Sequence, residues 1–171
     1  MIDKILILSQ ERFERLILPK VDELSDTFFI SILDPDTEDK LREDSINFKT
    51  WKFYDLEEDI NTYKAISFQQ AKEISQFIND NFGKKLIVHC HAGISRSSAI
   101  AEFYFELLGG SYRELIDVYQ NIMPNGRVLR YLRMTQKKSN IKINFIWKHN
   151  NFSYNCFSSN NFIFLFRQTN Q

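Results

Sequence analysis

Along the first 138 residues, short runs of β-branched and aromatic side chains alternate with stretches in which apolar positions recur every three to four residues. That alternation predicts an α/β domain: a central, largely parallel sheet flanked by helices. The runs at 4–8, 28–33, 50–54 and 86–89 read as strands. Between the third and fourth, a helix over 67–82 puts Phe68, Ala71, Ile74 and Ile78 on one face. Ser67 with Gln70 gives it a capping box, and Gly83 ends it. A helix over 96–108 follows the fourth strand, burying Ala99, Ile100, Phe103 and Leu107 until Gly109 and Gly110 break it. Ser111 and Glu114 cap a third helix that aligns Leu115, Ile116, Tyr119 and Ile122. Pro124, Asn125 and Gly126 form a turn, and Val128, Leu129 and Leu132 mark a last short helix.

Composition divides the chain. The 171 residues balance 22 basic against 22 acidic side chains, yet the stretch from Ser139 to the end has no Asp or Glu. Asn and Phe supply 14 of its 33 residues. Its three basic residues leave 19 basic against 22 acidic in the first 138. We expect residues 1–138 to form the folded domain and 139–171 to be a poorly ordered or loosely docked extension. Phe162, Phe164 and Phe166 alternate with Ile163 and Leu165 in a strand-like run suited to docking a partner. The balance of charge argues against nucleic acid as a partner. No stretch approaches the roughly 20 apolar residues that span a bilayer, and the N-terminus lacks the features of a secretory leader. Two cysteines, Cys90 and Cys156, are too few for a disulfide scaffold, so a reducing, cytoplasmic setting is expected.

The chemistry is concentrated in 86–98, where a buried strand runs into a short loop and the loop into a helix. Backbone amides of such a loop, with the unpaired amides of the helix's first turn, form a concave site for an oxyanion. Gly93 permits the tight curvature. The helix end, the loop amides and Arg96 all favour the thiolate of Cys90, which is the nucleophilic form. Arg96 adds a planar fork of donors able to hold two phosphate oxygens. Taken alone, Val88, His89 and Cys90 would equally suit a core strand with an inert thiol; Gly93, Arg96 and the strand-to-helix setting weigh against that.

The run His89-Cys90-His91-Ala92-Gly93-Ile94-Ser95-Arg96-Ser97 resembles the signature of the cysteine-dependent protein tyrosine phosphatases, and most of all their compact dual-specificity branch. The resemblance covers about 28–132. Rhodaneses have one residue fewer between the cysteine and arginine, and low-molecular-weight tyrosine phosphatases carry their loop near the N-terminus. The resemblance implies that Cys90 attacks phosphorus while Arg96 and the backbone of His91, Ala92, Gly93, Ile94 and Ser95 hold the phosphoryl oxygens. Ser97 would assist the thiolate as leaving group, and His89 would brace the loop. A general acid is also needed, because an alkoxide or phenolate leaves far more easily once protonated. In the family it is an Asp some thirty-odd residues before the cysteine, which here points to Asp55, with Asp59 second because the spacing is a residue short.

This chemistry calls for no metal and no cofactor, and His91 and His149 lack ligand-like spacing. Few cations among the variable loop positions favour a phosphorylated protein side chain over a phosphoinositide. The expected activity is hydrolysis of phosphotyrosine, with phosphoserine and phosphothreonine as further substrates. The alternative is a catalytically weak module that holds a phosphorylated partner.

Overall fold

The computed structural model describes residues 2–37, 41–138, 146–149, 152–159 and 162–168. The chain divides into two units, Met1–Thr135 and Gln136–Gln171. In the first, strands β1 (Ile5–Ser9), β2 (Thr27–Leu33), β3 (Phe48–Lys52) and β4 (Lys85–Cys90) form one sheet in the order β1-β4-β2-β3. Every pairing is parallel, as the alternation of strands and helices implies. The strand that ends on Cys90 is therefore internal, with Ser9 as the register partner of Cys90 on one side and Ser31 opposite His89 on the other.

Both faces of the sheet are covered, so its two inner strands are apolar almost throughout. All seven residues of β2 are buried. Phe28, Ile30 and Ile32 join Leu86, Val88 and Cys90 in the larger core, against helices α2 (Phe68–Asp80), α3 (Arg96–Leu107), α4 (Tyr112–Val118) and α5 (Gly126–Lys138). Phe29 and Ile87 point the other way and pack with Phe13, Ile17, Val21 and Phe48. Phe13 belongs to α1 (Gln10–Leu16), which opens on Ser9 and is followed by a 3-10 segment, Leu18–Glu23. Strand alternation thus sends Cys90 and His89 to opposite faces.

Several elements depart from the pattern-based reading. The seven-residue α1 was not anticipated: only Phe13 among its residues is buried, too little periodicity to register. β3 lies two residues earlier than 50–54, because Phe48 pairs with Phe29 and fills the smaller core. The chain then leaves the ladder at Phe53, whose amide still donates to the Leu33 carbonyl at 3.2 Å. α4 stops at Val118 instead of continuing through Ile122, as the Tyr119 hydroxyl donates to the Ile5 carbonyl at 2.7 Å. α5 runs for 13 residues where a short helix was expected. The capping box at Ser67 and Gln70 is present on both sides.

In the second unit, β5 (Ile146–His149), β6 (Phe152–Ser159) and β7 (Phe162–Gln168) form an antiparallel sheet in chain order. The alternating run at 162–166 lies within β7, with Leu165 opposite Cys156. The composition change at Ser139, and with it part of the expected loosely docked extension, lies outside the described residues. Among the described residues, no helix is long and apolar enough to cross a membrane.

Candidate active site

Cys90 closes the internal strand at its C-terminal end, residues 91–95 turn, and α3 starts at Arg96. The turn is held from outside through its carbonyls. The amide of Gln10 donates to His91 O at 3.1 Å, that of Met123 to Ile94 O at 2.9 Å and that of Asn125 to Ser95 O at 3.2 Å. Successive backbone amides of such a turn are what can line its concave side for an anion. Gly93 has a φ of +74°, and a Cβ there would meet the backbone of Leu8 and Ser9 at 2.6 Å. Only glycine meets both demands, the left-handed conformation and the approach of β1.

Three buried groups converge beneath this loop. Cys90 Sγ lies 3.2 Å from the Ser97 hydroxyl, with both residues at or below 2% exposure. Arg96, 3% exposed, donates from a single nitrogen, Nη1, to Asp34 Oδ1 at 2.6 Å and to the Phe53 carbonyl at 2.7 Å. Its Nε is buried without a hydrogen bond, 4.0 Å from Asp55 Oδ2. The guanidinium is therefore anchored by hydrogen bonds at one end, while its Nε–Nη2 edge, the pair of donors that matches two oxygens of a tetrahedral anion, makes no hydrogen bond among the described residues and has Asp55 Oδ2 4.0 Å from Nε.

Asp55 is brought to the mouth of the loop. Its Oδ1 accepts from Ser95 Oγ at 2.7 Å and from Asn125 Nδ2 at 2.8 Å, so the second oxygen faces Arg96. Asn125 also caps α5, accepting from the Val128 amide at 3.0 Å. Glu57 receives the Gly126 amide at 2.7 Å. Asp59 is engaged elsewhere: Arg127 at 3.1 Å, Lys64 at 3.5 Å and the Ala65 amide at 3.2 Å surround it. Desolvation, the largest single influence there, raises the Asp59 carboxyl, but that amide and the two cations together outweigh it and hold the group below its ordinary value.

His89 is wholly buried and its ring stacks on Phe13, centroids 4.3 Å apart. Neither ring nitrogen makes a hydrogen bond. Burial first, and the nearby Arg96 charge to a lesser degree, push its pKa down to about 4, against a smaller opposing contact with the Cys90 backbone. His91, Ala92 and Ile94 are exposed on the loop. Among the described residues, no group of three or more His, Cys, Asp or Glu side chains could hold a metal ion.

Sequence reasoning singled out the loop and Asp55, but it missed Asp34 and the part played by Asn125. Asp34 directly follows β2, the neighbour of β4, so a carboxylate at the C-terminal edge of an internal strand was the available signal. Asn125 had been read only as a turn residue.

No protein-family model matches the chain, and no curated protein matches it by sequence. The backbone is nonetheless similar to solved structures. One is human DUSP28, with a TM-score of 0.55 and 12% identity over 80% of this chain and 96% of that one. Another is the human tyrosine phosphatase-like serine/threonine/tyrosine-interacting protein, with a TM-score of 0.50 and 20% identity over 78% and 91%. The chain has the dual-specificity, tyrosine-phosphatase-like fold.

Proposed function

We propose that the protein is a cysteine-dependent phosphatase that hydrolyses phosphotyrosine in protein substrates, with phosphoserine and phosphothreonine as further substrates. The observation that carries this reading is a buried Arg96 beside the Cys90 loop that is hydrogen-bonded through Nη1 alone, leaving its Nε–Nη2 edge without a hydrogen bond among the described residues. A tetrahedral dianion supplies what that edge lacks.

In the first step the Cys90 thiolate attacks phosphorus in line, the S–P bond forms, and the bond to the leaving oxygen breaks. Arg96 and the amides of 91–96 hold the three equatorial oxygens, where charge accumulates. Asp55, acting as the general acid, passes a proton to the leaving oxygen. In the second step Asp55, now a carboxylate, takes a proton from water as that water attacks the phosphocysteine. The S–P bond breaks, and the Ser97 hydroxyl stabilises the departing thiolate at 3.2 Å. His89 takes no proton at neutral pH, because it is held neutral by burial.

The same reading sets the protein in the cytoplasm, where the free Cys90 stays reduced. It gives the Asn- and Phe-rich C-terminal unit a role in docking a partner. A binding-only module is the second reading, drawn from the likeness to a human protein described as phosphatase-like and interacting. Metal-free turnover of an aryl phosphate, inhibited by vanadate and abolished in Cys90→Ser, separates the two. Tight phosphopeptide binding by the wild-type protein without turnover would overturn the enzymatic reading.

A further inference from the structure

The segment between β3 and α2 carries Asp55 and is closed on itself. The Tyr54 amide donates to the Lys64 carbonyl at 3.0 Å, and the amides of Ile60 and Tyr63 each donate to the other's carbonyl, at 3.1 and 2.8 Å. Asn61, at a φ of +51°, makes the turn between them. The Tyr54 and Tyr63 rings meet edge to face, centroids 4.9 Å apart. A loop zipped in this way keeps its own shape, but its place beside the phosphate loop depends on contacts from outside. Arg127, the second residue of α5, supplies three of them with a side chain only 14% exposed. Its Nε donates to the Ile66 carbonyl at 3.1 Å, Nη1 reaches the Glu57 carbonyl at 3.5 Å, and Nη2 lies 3.1 Å from Asp59 Oδ1. Both ends of 57–66 are thus tied to one guanidinium. The ring of Tyr131, one helical turn on, lies 5.3 Å from that guanidinium and itself packs edge to face on Phe68 of α2. A planar fork of donors suits this use, because it meets several acceptors in fixed directions, which a flexible ammonium does not.

We propose that Arg127 is a positioning residue for the general acid, fixing the loop that carries Asp55 without taking part in the chemistry. This rests on the phosphatase reading above, with Asp55 as its acid. Among the described residues Arg127 bonds neither Cys90 nor Arg96. Ser95 and Asn125 orient the Asp55 carboxyl through Oδ1, whereas Arg127 fixes the backbone that follows it. Glu57 is two residues from Asp55, so a shift at its carbonyl passes directly to the acid. Proton transfer needs the donor within hydrogen-bond reach of the leaving oxygen, and a displacement of about 1 Å caused from a distance can cost about a hundredfold in rate. Asp59 is then a handle for Arg127 and not a second acid. Asp59→Asn keeps an acceptor oxygen for Arg127 and for the Ala65 amide, and the two carbonyl contacts of Arg127 persist, so that variant leaves the acid in place.

The test compares two substrates on the full chain. In Arg127→Gln, kcat/KM for phenyl phosphate is expected to fall about tenfold, and for an aryl phosphate with a good leaving group by about twofold at most, since that group departs without a proton. Arg127→Lys recovers part of the loss. Arg130→Gln, an equal change of net charge on α5, loses nothing. In an Asp55→Asn background Arg127→Gln lowers the rate no further, because a residue that acts through Asp55 has no effect once that acid is gone. A merely structural residue would slow both substrates alike and add its loss to that of Asp55→Asn. Equal slowing of the two substrates, an additive double variant or an unaltered phenyl phosphate rate therefore overturns the positioning role. Hydrogen exchange gives a readout apart from turnover: the Tyr54 and Ala65 amides, whose bonds close the loop, exchange about tenfold faster in Arg127→Gln while the Gln10 amide keeps its rate. Equal protection in both proteins overturns the proposal too. Should Arg127→Gln fail to fold, Arg127→Lys shows the same split between substrates at smaller size, and its absence there counts against the role. Wild-type protein without aryl phosphate turnover overturns the phosphatase reading instead, and the exchange rates still decide whether Arg127 holds the loop.

Discussion

A histidine wholly buried and kept neutral makes the fold sensitive to acid in a defined window. The perturbation is the pH itself, with His89→Phe as the reference, because a phenyl ring preserves the stack on Phe13 while removing the titrating group. In the unfolded chain His89 takes up a proton near its ordinary value of 6.5, but in the folded protein only near about 4. Its folded pKa is depressed, so the unfolded state binds more protons between these values. Stability is then intact above about pH 6.5 and is lost as pH falls towards 4. At about 1.4 kcal/mol for each tenfold in proton affinity, the gap amounts to about 3 kcal/mol, of which about 2.5 kcal/mol is already lost at pH 4.5. Full burial of the ring means that bulk solvent does little to reduce this figure. Urea denaturation of both proteins from pH 7.5 to 4.5 isolates it: the wild type is expected to lose about 2.5 kcal/mol more than His89→Phe over that range. NMR titration of the imidazole gives the folded midpoint directly. Parallel stability curves, or a midpoint near 6.5, would refute the reasoning.

Three further outcomes follow from the site's geometry. Gly93→Ala places a Cβ 2.6 Å from the Leu8 and Ser9 backbone at a φ of +74°, so overpacking and left-handed strain together cost about 3 kcal/mol; the urea midpoint falls and kcat/KM drops with it, whereas an unchanged midpoint contradicts the close approach of loop and β1. Asp55→Asn slows phenyl phosphate far more than a substrate with a good leaving group, and Asp59→Asn does not; a reversal of that pattern, measured as kcat against leaving-group pKa, moves the acid to Asp59. Asp34→Asn keeps an acceptor but removes the charge that anchors Nη1 of Arg96, weakening vanadate affinity about tenfold or more with partial recovery in Asp34→Glu; unaltered affinity would show that Phe53 O anchors the guanidinium alone.

What could be read from the chain before its structure was what is local in sequence. The strand, turn and helix that carry Cys90 and Arg96 are consecutive, and their signals are a buried run, a glycine and an apolar period, all within 86–108. The capping boxes at Ser67 and Ser111 are three-residue patterns and were equally legible. Asp34 lies 62 residues from the arginine it anchors, and Asn125 lies 70 residues from the Asp55 it holds. No periodicity links such pairs; they meet because β2 neighbours β4 and because α5 starts beside the loop. The early start of β3 had the same origin, since its register answers to Phe29 on another strand. Tyr119 illustrates the converse: its spacing suits a helix, but a hydrogen bond to Ile5, 114 residues away, accompanies the end of that helix. Strand alternation did contain one unused clue, namely that His89 and Cys90, being adjacent, must serve opposite faces of the sheet.

The central claim is a covalent one, that phosphate passes through Cys90. Its most direct test is to quench the wild-type protein in acid during turnover of an aryl phosphate, digest it with trypsin and weigh the peptide released between Lys85 and Arg96. The account predicts that this peptide gains one phosphoryl group in the wild type and none in Cys90→Ser, which also loses turnover. Turnover with no phosphoryl group on that peptide, or turnover preserved in Cys90→Ser, would contradict it.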